Sequence, residues 1–451
     1  MDTGKKHEVI VVGAGASGMT AALVLAQHGV DVALLEANDM PGKKLLATGN
    51  GKCNFTNSYQ SVECYRGGRP ETAMELLDRY DVAYVLRFFE RLGILPKQRD
   101  GYWYPNSEQA ASVREAFVLR LSELGVPVYV NTHVDEVRKG KCFLLAASHR
   151  ERMESAVAKT GKKQAKPVFS ESRRLIFEAG SVVLSTGGCA GNISGADGSG
   201  YALASAFGHQ IVPPVPALVQ LRLAEKAWKV LAGVRLNAAL LLRITREEGG
   251  QEVGERGEIL FTDYGLSGIP AMQLSRFAAC ELAKGDRCGK IEVLLDFFPD
   301  TSENDLQRML LARFLAFPGR AAANTLTGLL PAKLNMVLLT LSGVLPDMDV
   351  LRQKGGGMHG VKRCAEALAH CMKCFTSTVC GTNGFESAQA AAGGVSLNEL
   401  DARTMESKRI KGLYVTGELA DIDGTCGGYN LQWAWMSGLA AAEAICGGKN
   451  K

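Results

Sequence analysis

No stretch of the 451-residue chain approaches the roughly twenty consecutive apolar residues that a membrane-spanning helix requires, so no membrane span is expected. Nor does the opening segment Met1-Asp2-Thr3-Gly4-Lys5-Lys6-His7 contain an apolar export signal; it runs straight into a strand. Twelve cysteines without such a signal read as free thiols, and a chain of this length buries enough core to do without disulfide staples. The expected location is cytoplasmic. A broad basic surface is lacking too. The formal net charge is +4, but residues 149–174 hold eight Lys/Arg against three Glu, a net of +5 that leaves −1 for everything else. Nucleic-acid binding usually needs positive charge spread over a face. No nucleic-acid partner is therefore expected, and the basic stretch reads as a polar surface insertion.

Glycine is what the chain has in excess: 51 residues, well above the average of about 7%. Many fall in clusters, where backbone can approach a ligand closely. The first cluster follows Val9-Ile10-Val11-Val12, a short apolar run of the kind found in a parallel strand buried on both faces. Gly13-Ala14-Gly15-Ala16-Ser17-Gly18 has G-x-G-x-x-G spacing, and an Ala/Leu-rich helical stretch follows through residue 28. Val32-Ala33-Leu34-Leu35 reads as the second strand, closed by Glu36 and followed by Ala37. Each part has a mechanical reason. Gly13 permits the tight turn, Gly15 admits a pyrophosphate to the backbone, and Gly18 allows close contact of helix and strand. Unpaired N–H groups at the helix N-terminus, around Ala16 and Ser17, favour phosphate. Glu36 can accept from a ribose diol, and its charge disfavours a 2′-phosphate. These features predict a Rossmann-like α/β unit for a dinucleotide, FAD or NAD but not NADP.

Two further stations favour FAD. Residues 42–57 form a Gly-, Lys- and Asn-rich loop, containing Lys43, Lys44, Gly49, Cys53 and Asn54, where an NAD enzyme would more commonly continue with a crossover helix. Near the other end of the chain, Leu413-Tyr414-Val415-Thr416 reads as a buried strand followed by Gly417 and Glu418. Gly424-Thr425-Cys426-Gly427-Gly428-Tyr429-Asn430 is a third close-approach loop, leading at Leu431 into a predicted helix over 431–445. A helix N-terminus there can stabilise negative charge on a reduced flavin.

Thr48-Gly49-Asn50-Gly51-Lys52-Cys53-Asn54, Val182-Val183-Leu184-Ser185-Thr186-Gly187-Gly188 and Gly427-Gly428-Tyr429-Asn430 together resemble the BaiN/YhiN-type flavoprotein family, over nearly the whole chain. That family is distantly related to fumarate reductases and ketosteroid dehydrogenases. The resemblance implies that Gly15, Glu36, Lys43, Lys44, Cys53, Asn54, Val134, Gly417, Asn430 and Leu431 surround FAD. The glycine stations add Gly13, Ala16, Ser17, Gly18, Ala37, Gly49, Thr186, Gly187, Gly188, Glu418, Gly427 and Gly428 to the cofactor-binding set. It also implies carbon–carbon double-bond chemistry: an oxidoreductase of steroid and lipid metabolism that reduces the Δ4 and Δ6 bonds of 3-oxo bile acids. The alternative within the family is an oxidase of a small amine such as aminoacetone, producing peroxide. A flavin-bearing nucleic-acid-modifying or regulatory protein is the alternative of another class. The basic stretch 149–174 departs from the family's compact pattern and looks like an enlarged hairpin.

The nucleotide fold is interrupted. Residues 1–210 are expected to form its first part and 386–451 its last. Between them, 211–385 read as an inserted domain, β-rich over 211–298 and mostly helical over 302–375, that caps the substrate. Pro213, Pro214 and Pro216 mark its start. No second G-x-G-x-x-G unit exists, so a separate NAD(P) domain is not expected; electrons come from NAD(P)H used transiently or from a carrier protein. Tyr264, on a predicted loop of the inserted domain, is the candidate catalytic proton donor beside an ordinary turn tyrosine as the alternative. Cys371 and Cys374 have C-x-x-C spacing, but without a second such pair they read as incidental thiols, and no metal is expected.

Overall fold

Val9, Ile10, Val11 and Val12 are all buried, as a strand covered on both faces must be. They end the first strand of a computed structural model that describes residues 2–153, 168–191, 196–353 and 357–448. The chain divides into two units, Met1–Pro214 with Ala390–Lys451, and Val215–Gln389.

The first unit is built on a twisted sheet. Its strands are β1 (Asp2–Val12), β2 (Val32–Leu35), β3 (Val128–Tyr129), β4 (Thr132–Lys139), β5 (Phe143–His149) and β6 (Arg173–Leu184), in the order β3-β2-β1-β6-β5-β4, with Leu413–Val415 also paired to β6. The helix Ala16–Gln27 returns the chain from β1 to β2. Pairing is parallel from β3 through β6 and between β6 and Leu413–Val415, and antiparallel on to β5 and β4. The sheet is thus half nucleotide-binding and half hairpin. Within that hairpin Arg152 and Met153 pair antiparallel with Phe169 and Val168, so the basic stretch does extend as a second short ladder. Its centre, residues 154–167, lies outside the described residues.

The second unit contains a closed six-stranded barrel. In chain order its strands are β7 (Leu221–Leu223), β8 (Arg235–Arg246), β9 (Gly249–Phe261), β10 (Gly265–Ser267), β11 (Lys290–Asp296) and β12 (Phe375–Thr382), and round the barrel they run β7-β10-β9-β8-β11-β12. Alternation decides the register: Ala238, Leu240, Leu242 and Ile244 point inward from β8, facing a core that includes Ile291, Val293 and Leu295 of β11. Trp228, Phe261, Phe297 and Phe375 fill one cluster of that core, with Trp228 and Phe375 ring centroids 4.4 Å apart. Four longer helices follow or flank the barrel, Ile269–Leu282, Glu303–Ala316, Ala332–Leu341 and Met358–Lys373.

Within 211–298, expected to be β-rich, the structure adds a helix. Residues Ile269–Leu282 form a helix, started by Gly268 at φ +97° and Pro270 in the first turn. Buried Ala271, Leu274, Ala278 and the Met272–Ser275 pair recur at helical spacing, which alternation in the flanking strands disguises.

Candidate functional site

The parallel register sets the site. Val12 is opposite Leu35 on one side and Leu184 on the other, and Leu184 is opposite Val415. Four strands therefore end level, and Gly13, Glu36, Ser185 and Thr416 leave the same sheet edge. Ligands of open α/β sheets bind at the carboxyl ends of the strands. Thr186, Gly187, Gly188, Gly417 and Glu418 follow immediately, so five expected residues are gathered there by strand length alone.

The three glycines of the first loop have three different surroundings. A Cβ on Gly13 would lie 2.4 Å from Ser185 O, at a backbone φ of +98°. One on Gly18 would lie 1.9 Å from Gly13 O and 3.2 Å from the Ser185 Cβ. Nothing lies within 4 Å of such an atom on Gly15. Two glycines close the turn and the third opens it. No side chain caps the helix at Gly15, and its first turn holds no acid, an arrangement that suits an anion at the N–H groups around Ala16 and Ser17. Glu36 holds the loop from below. Its Oε2 accepts from the Ala14 N–H at 2.8 Å, and Oε1 accepts from the Asn38 N–H and Nδ2 at 2.8 and 2.7 Å. Ala37 is half-buried beside it. The Thr132 N–H donates to Glu36 O at 2.8 Å, which brings buried Val134 of β4 to the same corner.

Residues 42–57 contain no crossover helix. Lys44–Gly51 is a 3-10 turn kinked at Thr48, and Gly49, Asn50 and Cys53 all have φ near +56°. Cys53 is fully buried, and burial pushes its thiol up to about 12. It is a neutral packing residue at physiological pH rather than a nucleophile. Lys43 Nζ pairs with Asp39 at 3.1 Å. Asn54 is buried, and its Oδ1 has no hydrogen-bond partner among the described residues.

The loop 424–430 meets this turn. A Cβ on Gly428 would lie 2.9 Å from Asn54 Oδ1 and from Thr56 backbone, and Asn57 Nδ2 donates to Gly427 O at 3.2 Å. Trp435 Nε1 donates to Phe55 O at 2.9 Å. Asn430 is spent on its own loop: Oδ1 accepts from the Gly424 N–H at 2.8 Å, and Nδ2 donates to Gly424 O at 3.0 Å. Leu431 is half-buried in the first turn of the last helix, Tyr429–Gly448. That helix reaches back to the first one, where a Cβ on Gly438 would lie 2.5 Å from Ser17 O.

Glu418 ties the stations together. Its Oε2 takes Lys44 Nζ at 2.6 Å and the Gly188 N–H at 3.4 Å, while Oε1 takes the Ala391 N–H at 2.7 Å. Sequence reasoning missed the residue beside it. A Cβ on Gly188 would meet Tyr201 OH at 3.0 Å, and that hydroxyl is buried without a hydrogen-bond partner among the described residues. Burial, then the Glu418 charge, pushes the phenol up. The signal was available, since Tyr201 follows Asp197-Gly198-Ser199-Gly200 and Gly200 must pack on Thr186, its Cβ position lying 1.8 Å from Thr186 Oγ1. Also missed was the buried Ser185 Oγ to Thr416 Oγ1 contact of 2.6 Å, which pins β6 to Leu413–Val415 at the edge.

These residues fit a dinucleotide. An open space above an uncapped helix N-terminus suits a pyrophosphate, and an orphaned buried acceptor at Asn54 suits an N–H donor such as a flavin ring carries. Tyr264 belongs to the second unit, half-buried on the turn between β9 and β10, with its carbonyl accepting from the Leu223 N–H and Arg222 5.8 Å above its ring. Cys371 and Cys374 end the helix Met358–Lys373 as half-buried thiols, and burial raises Cys371.

Comparison with known proteins follows the same lines. The HI0933-like protein Rossmann domain family matches residues 7–444. A 3-dehydro-bile acid delta(4,6)-reductase of Clostridium scindens is 36% identical over 442 residues, 97% of this chain and 98% of that protein. A ribosomal RNA dihydrouridine synthase of Escherichia coli is 30% identical over 449 residues, 99% of this chain and all of that protein. Among solved structures, an open flavocytochrome c3 fumarate reductase covers 98% of the chain and 78% of its own at 15% identity and a TM-score of 0.47. The chain belongs to the HI0933-like protein Rossmann domain family.

Proposed function

We propose that this enzyme reduces carbon–carbon double bonds conjugated to a ketone in a bile-acid-type steroid. The observation that carries the reading is the 36% identity to a 3-dehydro-bile acid delta(4,6)-reductase along almost the full length of both chains. Bound flavin supplies the hydride for such a reduction. The chain's own residues hold and polarise it. Gly13, Gly15 and Gly18, with the N–H groups of Ala16 and Ser17, would take the pyrophosphate, and Glu36, Ala37 and Val134 the adenosine end. Lys43, Lys44, Gly49, Cys53 and Asn54 would line the ring side, with Thr186, Gly187, Gly188, Gly417, Glu418, Gly427, Gly428, Asn430 and Leu431 closing the far side. Lys44 and Glu418 neutralise each other, so the pair orders the loops without placing a net charge at the ring. Tyr264 is the proposed donor of a proton to the α-carbon. NAD(P)H, or a carrier protein in the cytoplasm, is the proposed source of electrons.

A second reading rests on the ribosomal RNA dihydrouridine synthase. The C5=C6 bond of uracil is also conjugated to a carbonyl, so the bond chemistry is shared and only the substrate differs. Oxidation of a small amine draws no support from either relative. The test is anaerobic reduction of the FAD-loaded protein, followed by rapid mixing with a 3-oxo-Δ4,6 bile acid, a uridine-containing ribosomal RNA fragment, or oxygen. Fast flavin reoxidation by the steroid alone is the expected result. Reoxidation by RNA and not by the steroid would move the assignment to uracil, and fast reoxidation by oxygen with neither would sink both.

A further inference from the structure

Half of the exposed large apolar side chains come from about a tenth of the chain. Of fourteen among the described residues, Leu315, Phe317, Met336, Leu341, Leu345, Met348 and Met358 all fall within 315–358 of the second unit. Single exposed apolar residues are ordinary, but a cluster calls for an occupant.

The backbone joins the central members into one patch. The Ala322 and Ala323 N–H groups donate to Met348 O and Pro346 O, and Ala321 bridges to Asp349, so the segment after Phe317 lies along the segment containing Leu345 and Met348. Gln353 fixes that second segment by pairing with both the N–H and the carbonyl of Leu345. Leu341 ends the adjoining helix, whose exposed positions Lys333, Met336 and Thr340 recur on one face.

The exposed charge around the patch is mainly positive. Arg320 lies 4.0 Å over the Phe317 ring, and Lys333 and Arg352 are exposed beside the apolar positions. Of the nearby acids, Asp349 is buried and occupied by the Gly319 and Leu351 N–H groups, which leaves Asp347 as the exposed one between Phe317 and Met358. Exposed cations interleaved with exposed Leu, Met and Phe are what an anionic lipid surface recognises. The cations draw on the headgroups, and the apolar tips enter the acyl boundary.

We infer that this face of the second unit docks reversibly on anionic membranes. This stands apart from the proposed reaction, since it uses neither a residue of the nucleotide unit nor Tyr264. The test is sedimentation of the FAD-loaded full chain with phosphatidylcholine vesicles, with and without about 30% phosphatidylglycerol. Binding is expected with the anionic vesicles, at least tenfold weaker without them, and weakened again by raised salt. L345E/M348E and, separately, R320E are expected to weaken it at least tenfold while leaving flavin content unchanged. The basic stretch offers a rival contact for anionic lipid, so a K159Q/K162Q/K163Q/K166Q variant is included and is expected to retain binding. No binding to anionic vesicles at low salt overturns the inference. So does binding lost with the basic stretch but untouched by L345E/M348E. A dimer in sedimentation velocity that L345E/M348E dissociates, without lipid binding, would assign the face to a second copy instead.

Discussion

The two units are held in opposite ways: the barrel by side chains that are present, and the nucleotide edge by side chains that are missing. Around β8 and β11, Leu240, Leu242, Ile244, Ile291, Val293 and Leu295 fill a closed interior from paired strands. At the sheet edge of the first unit, Gly18 and Gly438 exist so that backbone can touch backbone, and Gly15 exists so that something else can enter. Removing atoms should therefore damage one region, and adding them should damage the other.

The largest effect is expected at Gly18. G18A would drive a methyl to 1.9 Å from Gly13 O, and helix and strand cannot part without unravelling the turn. A loss of about 3–5 kcal/mol is expected in urea unfolding, with no flavin retained. G15A sharpens the contrast, because its methyl meets nothing and its φ of −80° is ordinary. Stability should stay within about 0.5 kcal/mol of wild type while FAD titration shows affinity at least tenfold weaker, about 1.4 kcal/mol. If G15A binds FAD normally, the pyrophosphate lies elsewhere.

L242A probes the other region. Emptying a fully buried position should cost about 2–5 kcal/mol in the barrel, yet the purified protein should keep its flavin spectrum. Glu418 comes next in size. E418Q keeps an acceptor for the Ala391 N–H but breaks the ion pair with Lys44, and a cost of about 1–3 kcal/mol should appear as flavin released at lower denaturant. Stability without flavin should move much less.

A smaller effect concerns pH. His209 is buried in the first unit, with Nδ1 3.0 Å from Glu399 and Nε2 2.8 Å from Ser407 Oγ, and Arg409 on the far side of Glu399. Burial holds its pKa below the ordinary value of about 6.5 against the pull of Glu399. The unfolded chain then binds the proton first as pH falls. Stability is intact above about pH 6.5 and is lost as pH drops towards the lowered folded value. H209Q should flatten that slope in urea unfolding between pH 5 and 7.5. The smallest effect compares two thiols: N-ethylmaleimide at pH 7.5 should label exposed Cys380 rapidly and leave buried Cys53 unmodified until the protein unfolds.

The nucleotide half was legible because its residues act locally. A strand, a G-x-G-x-x-G turn, a helix and a terminal acid occupy 28 consecutive positions, Val9 to Glu36, and local physics places Gly13, Gly15, Gly18 and Glu36 without knowledge of the rest. Loops 42–57 and 424–430 could be named as close-approach segments, but nothing local says that Gly428 rests on Thr56. That contact comes from strands of matching length ending at one edge. Tyr201 escaped because an isolated tyrosine in a helix reads as core, and its orphaned hydroxyl exists only once Gly188 and Glu418 are brought to it. The helix Ile269–Leu282 escaped for another reason: Leu, Met and Phe at helical spacing also satisfy short alternation when strands flank them.

The contact of Gly438 with Ser17 has a consequence for how the chain is made. The barrel unit is one continuous stretch, Val215–Gln389, whose two ends lie together where the Gln389 N–H donates to Leu218 O at 3.3 Å. It can finish as soon as it leaves the ribosome. The nucleotide unit cannot, because its first helix waits for a partner synthesised more than four hundred residues later. During synthesis each molecule therefore passes through a stage with a completed barrel attached to a half-built platform, and the cofactor site is the last part to close.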